Sequence, residues 1–479
     1  YYENPQYFDT LHRAQQEGPF RPTHIVNGLA QFGQNGISLI AMAGLLLSFH
    51  WSVTVVLFIA VIPGILVRIK YSGKMYRWQR EKTQAERKAS YFNWILTGDA
   101  HAKEIRLFGL GDLFIQQFSS LRKQLRRERI ELTRKRSVAD FMAQIGATVA
   151  VFGAFGFIAY RTVMGGITLG DMVMYFQAFQ RGLGFLKEML GALAGLYEDN
   201  LFLSNLFEFL DLSPRVKDPI QPDAVPKPMQ KGLNVESVDF QYPAATRKAL
   251  EGVSLSIDPG QVVALVGENG SGKTTLVKLL CRLYDPIAGR ITMDDIDLRR
   301  FEKAALHREI SVIFQDYAKY HLTARENIWL GNVETPSDPA GIARAAKRAG
   351  AHDLISGLPK GYETVLGRWF EEGSELSIGE WQKIALARAF MRPAQLIVLD
   401  EPTSSMDAKT EYEIFTRFKE LLQGRAAVII SHRFSTVRMA DRIIVLDQGR
   451  ITESGSHEEL MAANGTYAVM YERQAGYYR

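Results

Sequence analysis

Cysteine is nearly absent. Cys281 is the single one in 479 residues, so no disulfide can form within the chain. It follows a glycine-rich loop in a helical pattern and reads as a small core residue. A strong charge of either sign is lacking too. The net charge is only +5, and nucleic acid is not an expected partner. Much of the basic surplus lies in 68–88 and 122–136, beside apolar stretches, which marks a cytoplasmic membrane face. No secretory leader pattern is visible; the chain opens on the polar "YYENPQYFDTLHRAQQEG". Length excludes a single core, because 479 residues call for at least two domains. The hydrophobic share of 47% is ordinary, but it averages two unlike halves.

The apolar half comes first. Residues 25–49 and 51–69 are each long enough to cross a bilayer, which takes about twenty residues. The turn between them is very short and makes them a hairpin. Asn27, Gln31, Gln34 and Asn35 require one side of the first to face protein or water, and Pro63-Gly64 predicts a kink in the second. Residues 70–136 are polar, basic and helical in period. They fit two spanning helices that run on into the cytosol, joined by a short helix near "TGDAHAKEIRLFGLGD". A third span covers 138–161, where Gly146, Ala150 and Ala154 form a small-residue face. The fourth segment, about 171–200, is the least apolar. Gln177, Gln180, Arg181, Gly184, Glu188 and Gly191 share one of its faces. Either that face lines a cavity or the helix leaves the membrane early.

A proline-rich polar stretch, 213–232, reads as a linker. Beyond it, "QVVALV", "QLIVLD", "AAVIIS" and "RIIVLD" are buried-strand candidates that alternate with helices, the pattern of an α/β domain. The run from Gly267 to Thr275, "GENGSGKTT", is a phosphate loop with a strand (261–266) before it and a helix (273–284) after it. Gly267, Asn269, Gly270, Ser271 and Gly272 shape a loop whose backbone N–H groups turn toward a β-phosphate. Lys273 neutralises phosphate oxygens, the Thr274 hydroxyl can hold Mg²⁺, and Thr275 completes the motif. In "LIVLDEP", Asp400 would hold Mg²⁺ and Glu401 would act as general base on the attacking water. His432 ends the strand in "IISHR" and is expected to reach a γ-phosphate. Tyr242 in "FQYP" is placed to stack on adenine. In "ELSIGEWQK", Ser377 and Glu380 make a capping box at the start of a second helix.

Together these motifs resemble the ATP-binding cassette family over residues 233–460. Tyr242 matches its adenine-stacking loop, "GENGSGKTT" its Walker A, and Gln315 in "FQDY" its Q-loop. "LSIGE", with Ser377 and Gly379, matches the signature. "LIVLDE" matches Walker B, Asp407 in "SSMD" the D-loop, and His432 the switch histidine. Ile378 and Glu380 depart from the usual signature, which has Gly and Gln there; a β-branched Ile needs room that Gly leaves free. The membrane half resembles the exporter branch, and "ELSIGEWQKIALARAF" is similar to exporters near bacterial peptide transporters. Six spans are usual in that branch. "NPQYFDTLHRAQQEG" resembles a coupling helix that follows the second span, so the chain is expected to be incomplete at its start. A peptidase domain ahead of the membrane part is not expected, and Cys281 is not expected to be a protease nucleophile.

The resemblance implies a helical membrane domain (1–212), a linker (213–232) and an α/β P-loop nucleotide-binding domain (233–479). It implies an ATPase in the bacterial inner membrane, with its nucleotide domain in the cytoplasm. ATP and Mg²⁺ are the expected ligands, Mg²⁺ held by Thr274, Gln315 and Asp400. The expected assembly is a dimer, homodimer favoured over a related half-transporter. In it, Ser377, Gly379 and Asp407 of one chain serve the ATP of the other, and segments at about 3–15 and 95–110 relay closure to the spans. A peptide is the first expected substrate; a lipid or hydrophobic small molecule is second. A membrane regulator that binds ATP without transporting is the reading from another class.

Overall fold

Helices longer than a bilayer is thick dominate the first part of the computed structural model, which describes residues 5–243, 245–401 and 424–476. The chain divides into two compact units, Tyr1–Ser213 and Pro214–Arg479. The first holds α1 (Pro5–Glu17), α2 (Arg21–Phe49), α3 (Trp51–Thr97), α4 (Ala102–Leu107), α5 (Gly111–Val163) and α6 (Leu169–Leu210). By length and composition, α2, α3 and α5 are apolar enough to cross a membrane. The fourth expected segment lies in α6, which does not reach the same apolarity because Arg181, Lys187 and Glu188 interrupt it. At 47 residues, α3 is about 70 Å long at 1.5 Å per residue, more than twice the thickness of a hydrocarbon core. Its polar half therefore extends well past its apolar half, and the helix is unbroken at Pro63 within the apolar half.

Leu39, Leu46, Leu57, Ala154, Phe179 and Leu186 form the core of this unit. At Gly182 of α6 the backbone lies against Leu57, whose Cδ1 would be 2.9 Å from an added Cβ. One buried charge binds the bundle. Asp199 of α6 is 1% exposed and accepts from Arg21 Nη1 at 2.6 Å, with His24 Nδ1 at 3.2 Å. Such a carboxylate is tolerable inside only while it is paired; removing Arg21 would cost about 3–5 kcal/mol.

In the second unit, β1 (Leu233–Phe240), β2 (Leu250–Ile257), β4 (Ala288–Met293) and β5 (Ile296–Asp297) form an antiparallel sheet in the order β2-β1-β4-β5. The other sheet runs β10-β9-β3-β8-β7-β6. Its strands are β3 (Val262–Val266), β6 (Ile310–Ile313), β7 (Leu396–Asp400), β8 (Ala426–Ile430), β9 (Arg442–Asp447) and β10 (Arg450–Gly455). All are parallel except β10. In β3, β7 and β8 every residue is buried, as continuous Val/Ile/Leu/Ala runs require when both faces of a parallel sheet are covered. After β3 comes α7 (Lys273–Leu280). Four short helices, α8 (Lys303–Arg308), α9 (Ala324–Trp329), α10 (Pro339–Arg348) and α11 (His352–Ser356), precede α12 (Ile378–Phe390). The proline-rich stretch is held on this unit. Arg282 Nη2 donates to Lys217 O at 2.9 Å, and the Lys303 N–H to Asp218 Oδ1 at 2.8 Å.

Candidate active site

Register places the site. Leu265 of β3 and Asp400 of β7 both lie beside Ile430 of β8, and Ile313 of β6 lies beside Leu399. The four strands therefore end together. The residues just past their ends, Gly267, Gln315, Glu401 and His432, gather at one edge, where open α/β sheets bind ligands.

From β3 the chain turns into α7 through a loop that only glycine can form. Gly267, Gly270 and Gly272 have φ of 150°, 80° and 108°. A Cβ at Gly267 would lie 2.1 Å from Leu446 O, and one at Gly272 would lie 2.8 Å from Ala249 O. Kept bare, the loop presents N–H groups and the positive end of α7 to an anion. Lys273 is buried across it, donating to Gly267 O and Glu268 O at 2.8 Å each and to Ser271 Oγ at 3.3 Å. Burial holds its ammonium below the usual lysine range, while Glu401 and Asp400 oppose the shift.

Thr274 Oγ1 donates to Asp400 Oδ2 at 3.1 Å. Asp400 is 2% exposed. Burial pushes its carboxyl above the ordinary range; the Thr274 bond works against this and the neighbouring Glu401 adds to it. Glu401 is held at every polar group. Its backbone sits in the left-handed region at φ 50°, fixed by N–H donation to Ile430 O at 2.9 Å. Gln382 Nε2 of α12 donates to its carbonyl at 3.2 Å. His432 Nε2 lies 3.0 Å from Oε1, and Gln315 Nε2 donates to Oε2 at 3.0 Å. A strained backbone persists only where its surroundings fix it, and such positions cluster at functional sites.

A cavity of about 680 Å³ unites these groups. Of the residues read from the sequence, Tyr242, Asn269, Gly270, Gly272, Lys273, Thr274, Thr275, Gln315, Asp400, Glu401 and His432 line it. Gly267 and Ser271 lie in the loop without lining it. Tyr242 packs edge-on against Phe240 and Tyr284, and its OH is 3.2 Å from Thr275 Oγ1. Among the described residues, Ser377 and Gly379 are not part of the cavity wall. The capping box there is formed: Glu380 Oε2 accepts the Ser377 N–H at 2.7 Å, and Ser377 Oγ accepts the Glu380 N–H at 3.4 Å. Ile378 is exposed, and Tyr317 OH donates to its carbonyl at 3.0 Å. Asp407 lies outside the described residues. Arg247, Lys248 and Gln448 also line the cavity and were missed. The basic pair in "YPAATRKAL", just after Tyr242, was the available signal.

The donor set fits Mg²⁺. A hydroxyl and a carboxylate stand side by side as hard oxygen ligands, and no group of three or more His, Cys, Asp or Glu forms a metal cage among the described residues. Magnesium bound to nucleotide takes few protein ligands, because water and phosphate oxygens supply the rest.

Comparison with known proteins agrees with this geometry. Residues 250–404 match the ABC transporter family, and residues 23–183 match the ABC transporter transmembrane region. The subtilin transport ATP-binding protein SpaT of Bacillus subtilis is 30% identical over 474 residues, which cover 99% of this chain and 77% of SpaT. The nisin transport ATP-binding protein NisT of Lactococcus lactis subsp. lactis is 30% identical over 98% of this chain and 78% of its own. An ATP-dependent lipid A-core flippase of Alkalilimnicola ehrlichii is 32% identical over 86% of this chain and 69% of its own. Among solved structures, a bacterial Atm1-family ABC exporter with ATP bound superposes with a TM-score of 0.83 at 25% identity. That match covers 98% of this chain and 80% of the other.

Proposed function

This chain belongs to the ABC transporter family, as an exporter with its membrane and ATP-binding domains in one polypeptide, and we propose that two copies of it use ATP to drive a peptide out through the bacterial cell membrane. The observation that carries the reading is the cavity: it gathers Lys273, Thr274, Gln315, Asp400, Glu401 and His432, while Ser377 and Gly379 stand elsewhere. One chain thus holds the phosphate loop and the carboxylates, with a signature helix start that is capped by its own Ser377 and Glu380 and stands off the cavity wall. A second copy supplies the missing wall. Its Ser377 and Gly379 bring a helix N-terminus to the γ-phosphate, and Asp407 serves the same contact.

Within the site, Tyr242 receives adenine, while the loop N–H groups and Lys273 take the phosphates. Thr274 and Asp400, with Gln315, would hold Mg²⁺, which when bound neutralises phosphate charge. Glu401 accepts the proton of the attacking water as its oxygen bonds to the γ-phosphorus and the bond to ADP breaks. His432 and Gln315 hold the carboxylate of Glu401 in one orientation, and His432, which lines the same cavity, would contact the γ-phosphate. The basic ends of the apolar helices support a cytoplasmic ATP-binding unit. Peptide is our first reading, supported by SpaT and NisT, which are named for subtilin and nisin transport and match 99% and 98% of the chain; lipid is the second, since a lipid A-core flippase matches 95% of it.

The test is ATP hydrolysis by the chain in nanodiscs, with and without EDTA, followed by ATP-dependent peptide uptake into inverted vesicles. Turnover that requires Mg²⁺ and disappears in Lys273→Ala supports the reading. ATP binding without turnover would point to a regulator, and turnover stimulated only by lipid would point to a flippase.

A further inference from the structure

A second cavity, of about 320 Å³, lies within the helical unit between α3, α5 and α6. Three cations line it: Arg68, where the apolar run of α3 ends; Arg136, just before that of α5; and Lys187, midway along α6. One carboxylate faces them. Asp140 Oδ2 is 3.7 Å from Arg136 Nε. Lys187 Nζ finds a neutral partner, Gln144 Oε1 at 2.5 Å. Arg68 Nε is enclosed without a hydrogen-bond partner. Its guanidinium lies along a groove made by two glycines: a Cβ at Gly191 would be 3.0 Å from Nη1, and one at Gly195 would be 3.8 Å from Nη2. Among the described residues, no carboxylate lies within 4.0 Å of Arg68 or Lys187. Cations beside apolar helix segments are costly without an anion, and unpaired ones mark substrate paths.

We propose that this cavity binds an acidic group of the exported peptide, either an Asp or Glu side chain or the terminal carboxylate. The inference rests on the exporter reading above and names the substrate's charge. The same wall carries apolar Val61, Ile65 and Val151 beside the cations, so an acid flanked by apolar residues is the chemistry it accepts. Its volume of about 320 Å³ takes a residue or two of an extended chain. A strongly cationic segment is excluded by the uncompensated charge.

The experiment uses the full chain in nanodiscs of neutral phosphatidylcholine. The probes are a dansyl peptide of alternating Leu with Asp and Glu, and the same peptide with Asn and Gln. The native chain should bind the acidic peptide at least about tenfold more tightly, the difference expected from one or two charge-assisted hydrogen bonds. Arg68→Gln and Lys187→Gln should each remove most of that preference. Lys187 is exposed, so its variant keeps the test valid if Arg68→Gln does not fold. Equal affinity for the two peptides, or a preference that survives both changes, overturns the proposal. So does saturable binding of added phosphatidic acid that depends on Arg68 and Lys187 while peptide charge has no effect. ATP turnover is measured on the same discs. Its absence would count against the exporter reading, whereas the peptide preference is judged by binding alone.

Discussion

Glu401→Gln removes a charge and keeps a shape. The carboxylate has a neighbour at 3.0 Å on each oxygen, His432 on one and Gln315 on the other. An amide offers only one acceptor oxygen, so at most one of these bonds must be remade, at a cost of about 1 kcal/mol. The backbone contacts of residue 401, to Ile430 and Gln382, are untouched. Lys273 and Thr274 make their hydrogen bonds to other groups, so nucleotide affinity should change by less than about threefold, the equivalent of about 0.6 kcal/mol. What disappears is the proton acceptor. A positioned general base contributes about 10²–10⁴ in rate, so turnover should fall at least about a hundredfold, or some 2.7 kcal/mol of barrier. ATPase rate and ATP retention, measured on one preparation, give both numbers. Turnover within threefold of the native chain would refute the assignment of Glu401. Loss of binding would refute the independence of the phosphate loop from it.

Two further predictions follow from packing. Cys281 is 3% exposed and burial pushes its thiol up to about 12, so N-ethylmaleimide at neutral pH should leave the folded chain unmodified and label it once denaturant is added; rapid labelling of the native chain would contradict the buried placement. Gly272→Ala forces a Cβ to 2.7 Å from Leu250 Cδ2 at a φ of 108°. Urea unfolding should show a loss of about 1–3 kcal/mol and nucleotide titration a drop of tenfold or more, whereas unchanged affinity would mean the loop has another shape.

How far the sequence could be read depends on how local each feature is. The phosphate loop was legible because strand, glycines and helix are contiguous, and the Ser377 box because a cap spans three residues. The strands at 262–266, 396–400, 426–430 and 442–447 were legible as apolar runs. Their order and register were not, and these are what bring Gln315, Glu401 and His432 together. Ile310–Ile313 was missed because four residues are too few for a pattern. On α6 a helical face could be drawn but not oriented. Gly182 packs against Leu57, and Leu183, Lys187, Leu190 and Gly191 line the cavity within the bundle; of the six residues read as one face, either cavity-lining or marking an early exit from the membrane, Gly191 is the one on that cavity's wall. Arg68 and Arg136 belong to the basic stretches 68–88 and 122–136, which read only as a membrane face, because nothing local shows that α3 and α5 place them in one cavity.

The central claim is that each ATP lies between the phosphate loop of one chain and the signature helix of another. Covalently linked dimers of defined composition test it. With Ser377→Arg on one chain and Lys273→Ala on the other, both lesions fall in one composite site and the second site is whole. With both substitutions on one chain beside a native chain, each site carries a lesion. The account predicts that the first dimer keeps part of the ATPase activity and the second keeps almost none. If Ser377 only caps its own helix, the native chain of the second dimer stays whole and the order reverses, which would contradict the account.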